Sequence, residues 1–417
     1  MVLPNPWMVF PFALLLLSIA AAPLLAPQWW RRHYPKIALG LGAITLAYYF
    51  LALRAPGAVL ETAHEYTSFI VLIGSLFVVS AGIRLQINRQ ATPLMNTIFL
   101  LAGALAANVL GTTGASMLLI QPWLQMNRER IRGYHLAFFI FLVANVGGCL
   151  TPIGDPPLFL GYLQGVPFWW IAQKCWPAWA LAVGLLSGIF YLLDRSQYSK
   201  TKFMPEDGPE GKKWRISGLP NLFFLAVILG AVFLTRPLFL REAVMLSAAL
   251  GSYWLAHKRT SPTESKYDLH PIIEIAILFA GIFATMIPAL DLLKVHARAI
   301  LGANPQPDVF YWSTGVLSAV LDNAPTYLGI LNALLGTSGA GDLSGLLAQN
   351  ARAILAISLG AVFFGAATYI GNGPNFMVKA IADRQKIPTP HFLEYIGRYT
   401  LPFLLPVLVA VWLVFFR

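Results

Sequence analysis

The sequence predicts an all-α polytopic membrane protein made of two inverted repeats, with about ten crossing helices, two re-entrant hairpins and two broken helices. Three observations lead there. The 417 residues are 57% apolar and only 11% charged, with a mean hydropathy of +0.66, whereas a soluble domain carries about 25% charged residues. Apolar runs such as 8–26, 37–53, 67–83 and 401–416 recur at a length that a helix rising about 1.5 Å per residue needs to cross about 30 Å of hydrocarbon. A nine-residue segment, TPIGDPPLF at 151–159, returns as TYIGNGPNF at 368–376.

The first run, 8–26, has no basic residue before it and Arg31, Arg32 and Lys36 after it. A cleaved leader carries its charge on the other side, so this run is expected to be a retained span with its N-terminus outside. All but eight of the 29 basic residues lie in the gaps 31–36, 84–92, 127–135, 194–217, 257–270 and 379–398, which the positive-inside rule places in the cytoplasm. The net charge of +11 is therefore a topology signal rather than a nucleic-acid face. Cys149 and Cys175 have no metal-type spacing and read as small packing residues.

Segment 93–126 has basic residues at both ends and Gly111, Thr112, Thr113, Gly114, Ala115 and Ser116 at its centre. A single crossing cannot start and finish on one side, and that centre is a poor helix interior and a good turn. The segment is expected to be a hairpin entering from the cytoplasm. Segment 308–336, with Asp322, Asn323, Ala324, Pro325 and Thr326 at its centre, is expected to be its counterpart from the other side. Broken helices are expected over 135–163 and 351–383. Each half then has an odd number of crossings, so the repeats are inverted: 1–193 is the first, 218–417 the second, and 194–217 a solvated cytoplasmic linker carrying Lys200, Lys202, Glu206, Asp207, Glu210, Lys212 and Lys213.

A 217-residue offset pairs Thr151 with Thr368, Ile153 with Ile370, Gly154 with Gly371, Pro157 with Pro374 and Phe159 with Phe376. A looser match sets 81–83 on 280–282. Duplicated, interrupted apolar helices point to a binding site near the bilayer midplane. Proline removes a backbone donor and glycine loosens the chain, so each motif stops a helix where freed carbonyls and helix N-termini can face a solute.

Only two acidic residues fall at these breaks, Asp155 and Asp322. A carboxylate at bilayer depth costs about 2.5–3.5 kcal/mol on insertion scales and is functional by default. Desolvation favours the protonated form of any carboxylate, so a proton and a sodium ion can compete for one oxygen pair. Asp155 and Asp322 are accordingly the candidate ion-binding, proton-exchanging and sodium-ligating residues. Thr112, Thr113, Ser116, Asn145, Thr151, Gly154, Asn323, Thr326, Thr368, Asn372 and Asn375 are the candidate neutral ligands. Against these stand plainer roles: helix caps for the two acids, turn chemistry or helix back-bonding for the neutral residues, and for Asn108 and Asn145 a neighbouring helix instead of the pocket.

Glu242, Glu274, Asp291 and Arg352 lie near span ends, where snorkelling suffices, and His135 reads as an interfacial residue. Trp29, Trp30, Trp169, Trp170, Trp176 and Trp179 read as interfacial anchors. No phosphate-binding loop or nucleophile motif is present. No enzyme activity and no cofactor are expected, only transported sodium and protons.

Residues 145–157 (NVGGCLTPIGDPP), the tip 322–326 (DNAPT) and the hairpins resemble the Ion Transporter superfamily over nearly the whole chain. The nearest subgroup is labelled putative citrate transport or D-type sodium:proton antiporter-like. The resemblance implies an elevator-type, dimeric secondary transporter in the cell inner membrane, with hairpins and broken helices in the moving unit. It also implies exchanging roles for Asp155, in the GD of the first motif, and for Asp322, before an Asn in the second hairpin. Dicarboxylate members carry Ser-Asn-Thr at both tips, where this chain has Gly111-Thr112-Thr113-Gly114 and Asp322-Asn323-Ala324. Sodium/proton antiport by alternating access is therefore the leading expectation. Symport of citrate or another small carboxylate is the alternative. A membrane scaffold or sensor would need a sizeable soluble domain, and the longest polar gap is about 24 residues. The remaining expectations are a bilayer and small ions or carboxylates as partners, no nucleic acid, and both termini outside.

Overall fold

The computed structural model describes residues 3–87, 91–198, 214–234, 236–259, 269–301, 306–338 and 343–417. It is a helical membrane protein whose only sheet among the described residues has two strands. The first half runs α1 (Phe10–Leu25), α2 (Pro27–Ala47), α3 (Pro56–Ala81), α4 (Pro93–Met126), α5 (Gly133–Leu142), α6 (Pro156–Leu163) and α7 (Phe168–Tyr198). The second runs α8 (Asn221–Ala231), α9 (Leu240–Arg259), α10 (His270–Leu301), α11 (Pro307–Val320), α12 (Asn323–Ser338), α13 (Leu343–Gly365), α14 (Gly373–Arg384), α15 (Phe392–Tyr395) and α16 (Leu405–Phe415). Nine helical stretches among the described residues are long and apolar enough to cross a membrane. Proline at the first or second helical position opens α2, α3, α4, α6, α11 and α14, where its missing N–H would have had no partner anyway.

Helix α4 is a hairpin. Its 34 residues are interrupted at Gly111, whose φ of 73° and ψ of 155° are not helical, and its two ends meet where the Ala91 N–H donates to the Met126 carbonyl over 3.1 Å. The legs are cross-tied by the Asn96 and Asn127 amides, which donate to each other at 2.8 and 3.0 Å, and by the stacked rings of Phe99 and Trp123. Helices α11 and α12 form a second pair around an extended Leu321 (φ −112°, ψ 172°) and pack on each other. The two broken helices are α5, a 3-10 turn over Val146–Leu150 and α6, and then α13 and α14 across 366–372. Around these, α3 packs on α9, α8 and α10, and α2 on α10.

Several cytoplasmic gaps expected from the charge pattern meet at one end of the molecule. Strand β1 (Arg84–Ile87) pairs antiparallel with β2 (Trp214–Ser217). Arg130 pairs with Asp194, and Arg132 donates to Gln197 at 2.7 Å. Gly133 lies against Pro390 and Tyr399 so closely that a Cβ there would stand 2.4 Å from the Tyr399 hydroxyl.

Two features differ from the expected layout. Residues 194–217 are not all linker: α7 continues to Tyr198 because Asp194 is buried against partners, and the far end is strand β2. The charged residues between, Lys200 to Lys213, lie outside the described residues. The crossing expected after the linker holds an α8 of only 11 residues, about 16 Å at 1.5 Å per residue, followed by turns to Leu234.

Candidate functional site

Both hairpin tips and both helix breaks converge on Asp155. It occupies the N-cap position of α6, yet its carboxylate makes no bond to its own helix. The two residues that follow are Pro156 and Pro157, which have no N–H to offer, so the carboxylate turns into the protein. There Oδ1 accepts from the Thr112 hydroxyl at 2.7 Å and from the Asn372 Nδ2 at 2.9 Å, while Oδ2 accepts from the Asn323 Nδ2 at 2.7 Å. One donor comes from the first hairpin, one from the second, and one from the second break. All four residues are buried, and among the described residues no ion pair involves Asp155 or Asp322. A desolvated carboxylate held by neutral donors retains an uncompensated charge that a proton or a small cation can balance.

The matched positions of the two motifs carry a different task. The Thr151 hydroxyl donates to the Asn108 carbonyl at 2.6 Å and accepts the Gly154 N–H at 3.1 Å. The Thr368 hydroxyl donates to the Ala319 carbonyl at 2.7 Å and accepts the Gly371 N–H at 3.1 Å. The Gly154 carbonyl accepts the Thr112 N–H at 2.7 Å, and the Gly371 carbonyl accepts the Asn323 N–H at 3.1 Å. Each motif is therefore a staple that fastens a helix break to a hairpin tip. The approach is close enough to require glycine, since a Cβ on Gly154 would stand 2.0 Å from the Gly148 carbonyl oxygen and one on Gly371 would stand 2.6 Å from that of Gly365. In the repeat the staple is the same, and the residue beside it is Asp155 in one half and Asn372 in the other.

A small cavity reaches the site from the side of α3. It is walled by Leu72 and Leu76 of α3, by the tip from Leu110 to Gly114, and by Pro152, Asp155 and Phe159. The family model described as Putative citrate transport matches residues 3–416. The chain belongs to that family. No curated protein matches the chain. Membership in the putative citrate transport family makes the chain a multi-pass transporter of small solutes.

Of the residues singled out in the sequence, Thr112, Asn323 and Asn372 touch Asp155. Asn145 reaches it at one remove, accepting from Asn372 Nδ2 at 3.1 Å, and Asn375 at two, accepting from Asn145 Nδ2 at 2.7 Å. Thr113 lines the cavity, and Ser116 is buried with no partner for its Oγ among the described residues. The others are placed differently. Thr151, Thr368 and Gly154 spend their polar groups on the staples. Thr326 donates back to the Asp322 carbonyl at 2.9 Å. The Asp322 carboxylate accepts the Ala324 N–H at 3.0 Å, the geometry of a cap on α12. Asn108 faces a helix neighbour, donating to Gly147 O and accepting the Leu150 N–H at 2.7 and 2.8 Å.

A second buried polar cluster went unread in the sequence. The Asp194 carboxylate is fully buried at the base of the first hairpin, where it takes both guanidinium nitrogens of Arg130, the Tyr134 hydroxyl at 2.8 Å and Asn96 Nδ2 at 3.0 Å. His135 is fully buried rather than interfacial. Its Nδ1 accepts the Arg132 N–H at 3.1 Å and its Nε2 stands 3.3 Å from Asp194. Glu242 is likewise buried and paired with Arg241 and Ser68 instead of snorkelling. Asp194 stands at the end of an apolar run directly before Arg195, a pattern a loop start shares.

Proposed function

We propose that this member of the putative citrate transport family exchanges sodium for protons by alternating access, with Asp155 as the exchanging carboxylate. The observation that carries the reading is the isolation of that carboxylate. It is buried at the meeting point of two hairpins and two breaks, and among the described residues it is bound only by neutral donors. Either a proton or a sodium ion neutralises it, and the two exclude each other on the same oxygens. Asp322 serves first as the cap of α12 and adds a second negative charge in the adjoining tip, which favours a cation over a free anion. The unit that alternates is the set of hairpins and broken helices, sliding as an elevator against α1–α3 and α8–α10 in a homodimer in the inner membrane.

Everted vesicles from cells making the protein should show sodium-dependent proton movement, and Asp155→Asn should abolish it. Activity that survives Asp155→Asn removes the proposal. Unaltered exchange in Asp322→Asn would confine the chemistry to Asp155. The family description itself favours a second reading, sodium-coupled uptake of citrate or a related carboxylate. Labelled citrate accumulating on a sodium gradient, with no proton release on adding sodium alone, would select that reading.

A further inference from the structure

The two oxygens of Asp155 are not equivalent, and the difference is set by residues that never touch it. Asn375 donates through Nδ2 to the carbonyls of Gly365 and Thr368, both at 2.8 Å. A carbonyl only accepts, so the other end of that amide is Oδ1. It takes the Asn145 Nδ2 at 2.7 Å, which also donates to the Ile140 carbonyl at 2.9 Å. The free end of Asn145 is then an oxygen too. It takes the Asn372 Nδ2 at 3.1 Å, beside the Ala144 carbonyl at 3.2 Å and the Asp155 Oδ1 at 2.9 Å. Every link is polarised by a backbone carbonyl, so turning the Asn372 amide would set its oxygen against the Asn145 Oδ1 and the Ala144 carbonyl, and relieving that clash would mean turning the amides behind it against their own carbonyls. Asn323 is held differently. Its Nδ2 donates to Asp155 Oδ2, and its Oδ1 is buried without a hydrogen-bond partner among the described residues. Turning that amide disturbs one hydrogen bond and brings an orphaned oxygen to the carboxylate.

We propose that Asn375 and Asn145 are positioning residues that lock Asn372 as a hydrogen-bond donor, closing the Oδ1 side of Asp155 to a cation and directing it to the Oδ2 side at Asn323. The proposal rests on the exchange reading above. It makes Asn372 a fixed donor rather than an oxygen ligand. It also ties the first broken helix to the second through the centre of the site, since Asn145 belongs to one and Asn372 and Asn375 to the other.

The internal repeat supplies the test substitutions, because the residues at the 217-residue offset from Asn375 and Asn145 are Leu158 and Val362. Radioactive sodium binding is measured on purified full-length protein, together with the sodium dependence of exchange in proteoliposomes. Asn145→Val removes the Oδ1 that accepts from Asn372, and Asn375→Leu removes one of the two acceptors that orient Asn145. In each the Asn372 amide is held by less and turns its oxygen to the ion at lower cost, against the Ala144 carbonyl that remains. Each variant should bind sodium about tenfold more tightly, the scale of one hydrogen bond. Each should also turn over more slowly, so KM and kcat fall together. A variant that merely loosens the fold weakens binding instead. Asn375→Leu strips partners from two buried carbonyls; if it does not fold, Asn145→Val, which leaves that anchor in place, decides alone. Unchanged or weaker binding in the folded variants, with sodium-binding wild type, overturns the relay and leaves the exchange reading standing. A wild-type protein whose sodium binding is absent, or is untouched by Asp155→Asn, overturns both.

Discussion

Gly111 sets the whole of the first hairpin, because its backbone has to reverse the chain inside the protein. Its φ of 73° with ψ of 155° is a region that residues with a Cβ essentially do not enter, at a cost of about 1–3 kcal/mol. A Cβ there would also stand 3.3 Å from the Ile153 carbonyl oxygen. Gly111→Ala is therefore expected to lower the melting temperature in detergent and to depress transport through Thr112, which follows it directly and donates to Asp155. A variant that matches the wild type in both measurements would show that the tip bears no such strain. At this scale the sequence was legible in chemical type and not in partner. Glycine and threonine at 111–114 marked a turn, and the acid in TPIGDPP marked a buried charge. Nothing in residue type, however, separates Thr112, Asn323 and Asn372, which bind that charge, from Thr151 and Thr368, which bind backbone. Duplication is the signal that distinguishes them. The Thr and Gly that the repeats share build the staples, and of the four positions where the motifs differ it is Asp155 against Asn372 that meets in the site.

Elements are held to one another by buried polar contacts that an apolar pattern cannot reveal. The Asp194 cluster joins both legs of the α4 hairpin, the start of α5 and the end of α7 at one point. Removing one partner of a buried, hydrogen-bonded ion pair costs about 3–5 kcal/mol, whereas replacing both by apolar residues is far milder. Asp194→Ala should accordingly lower the thermal midpoint in detergent by many degrees, and Asp194→Leu combined with Arg130→Met should recover much of the loss. Equal instability of the single and the paired substitution would show that Arg130 is not held there by Asp194. Glycine, proline and clustered polar residues punctuate the hairpin and break segments in the sequence, and nothing of that kind marks the end of α7. An apolar run followed by Asp194 and Arg195 is the same pattern whether the helix stops or continues into a buried pair, and only the distant Arg130, Tyr134 and Asn96 decide between the two.

For the molecule as a whole, the charge asymmetry and the contacts agree independently on which gaps share an end. The basic gaps at 84–92, 127–135, 194–217 and 379–398 are joined to one another through β1 with β2, Ala91 with Met126, Arg130 with Asp194, and Gly133 with Pro390. Apart from the Arg130 pair, those contacts involve no Lys or Arg side chain, so their coincidence with the basic grouping supports one shared face, which the positive-inside rule expects to be cytoplasmic. On the expected layout the opposite face would hold the turn between α2 and α3, the open ends of α11 and α12, and the C-terminus, beside which the Phe415 carbonyl accepts from Arg352. Single cysteines test this directly in a background where Cys149 and Cys175, both buried, are left in place. Gly57→Cys, in open space at the start of α3, should react with a membrane-impermeant maleimide added to intact cells. Arg128→Cys, exposed just beyond the hairpin, should react only after the cells are opened. Labelling of both from outside would break the expected layout, because either α3 would fail to cross the bilayer or 93–126 would have to cross it. The reverse pattern would invert the molecule in the membrane and, with it, the side from which Asp155 meets the proton.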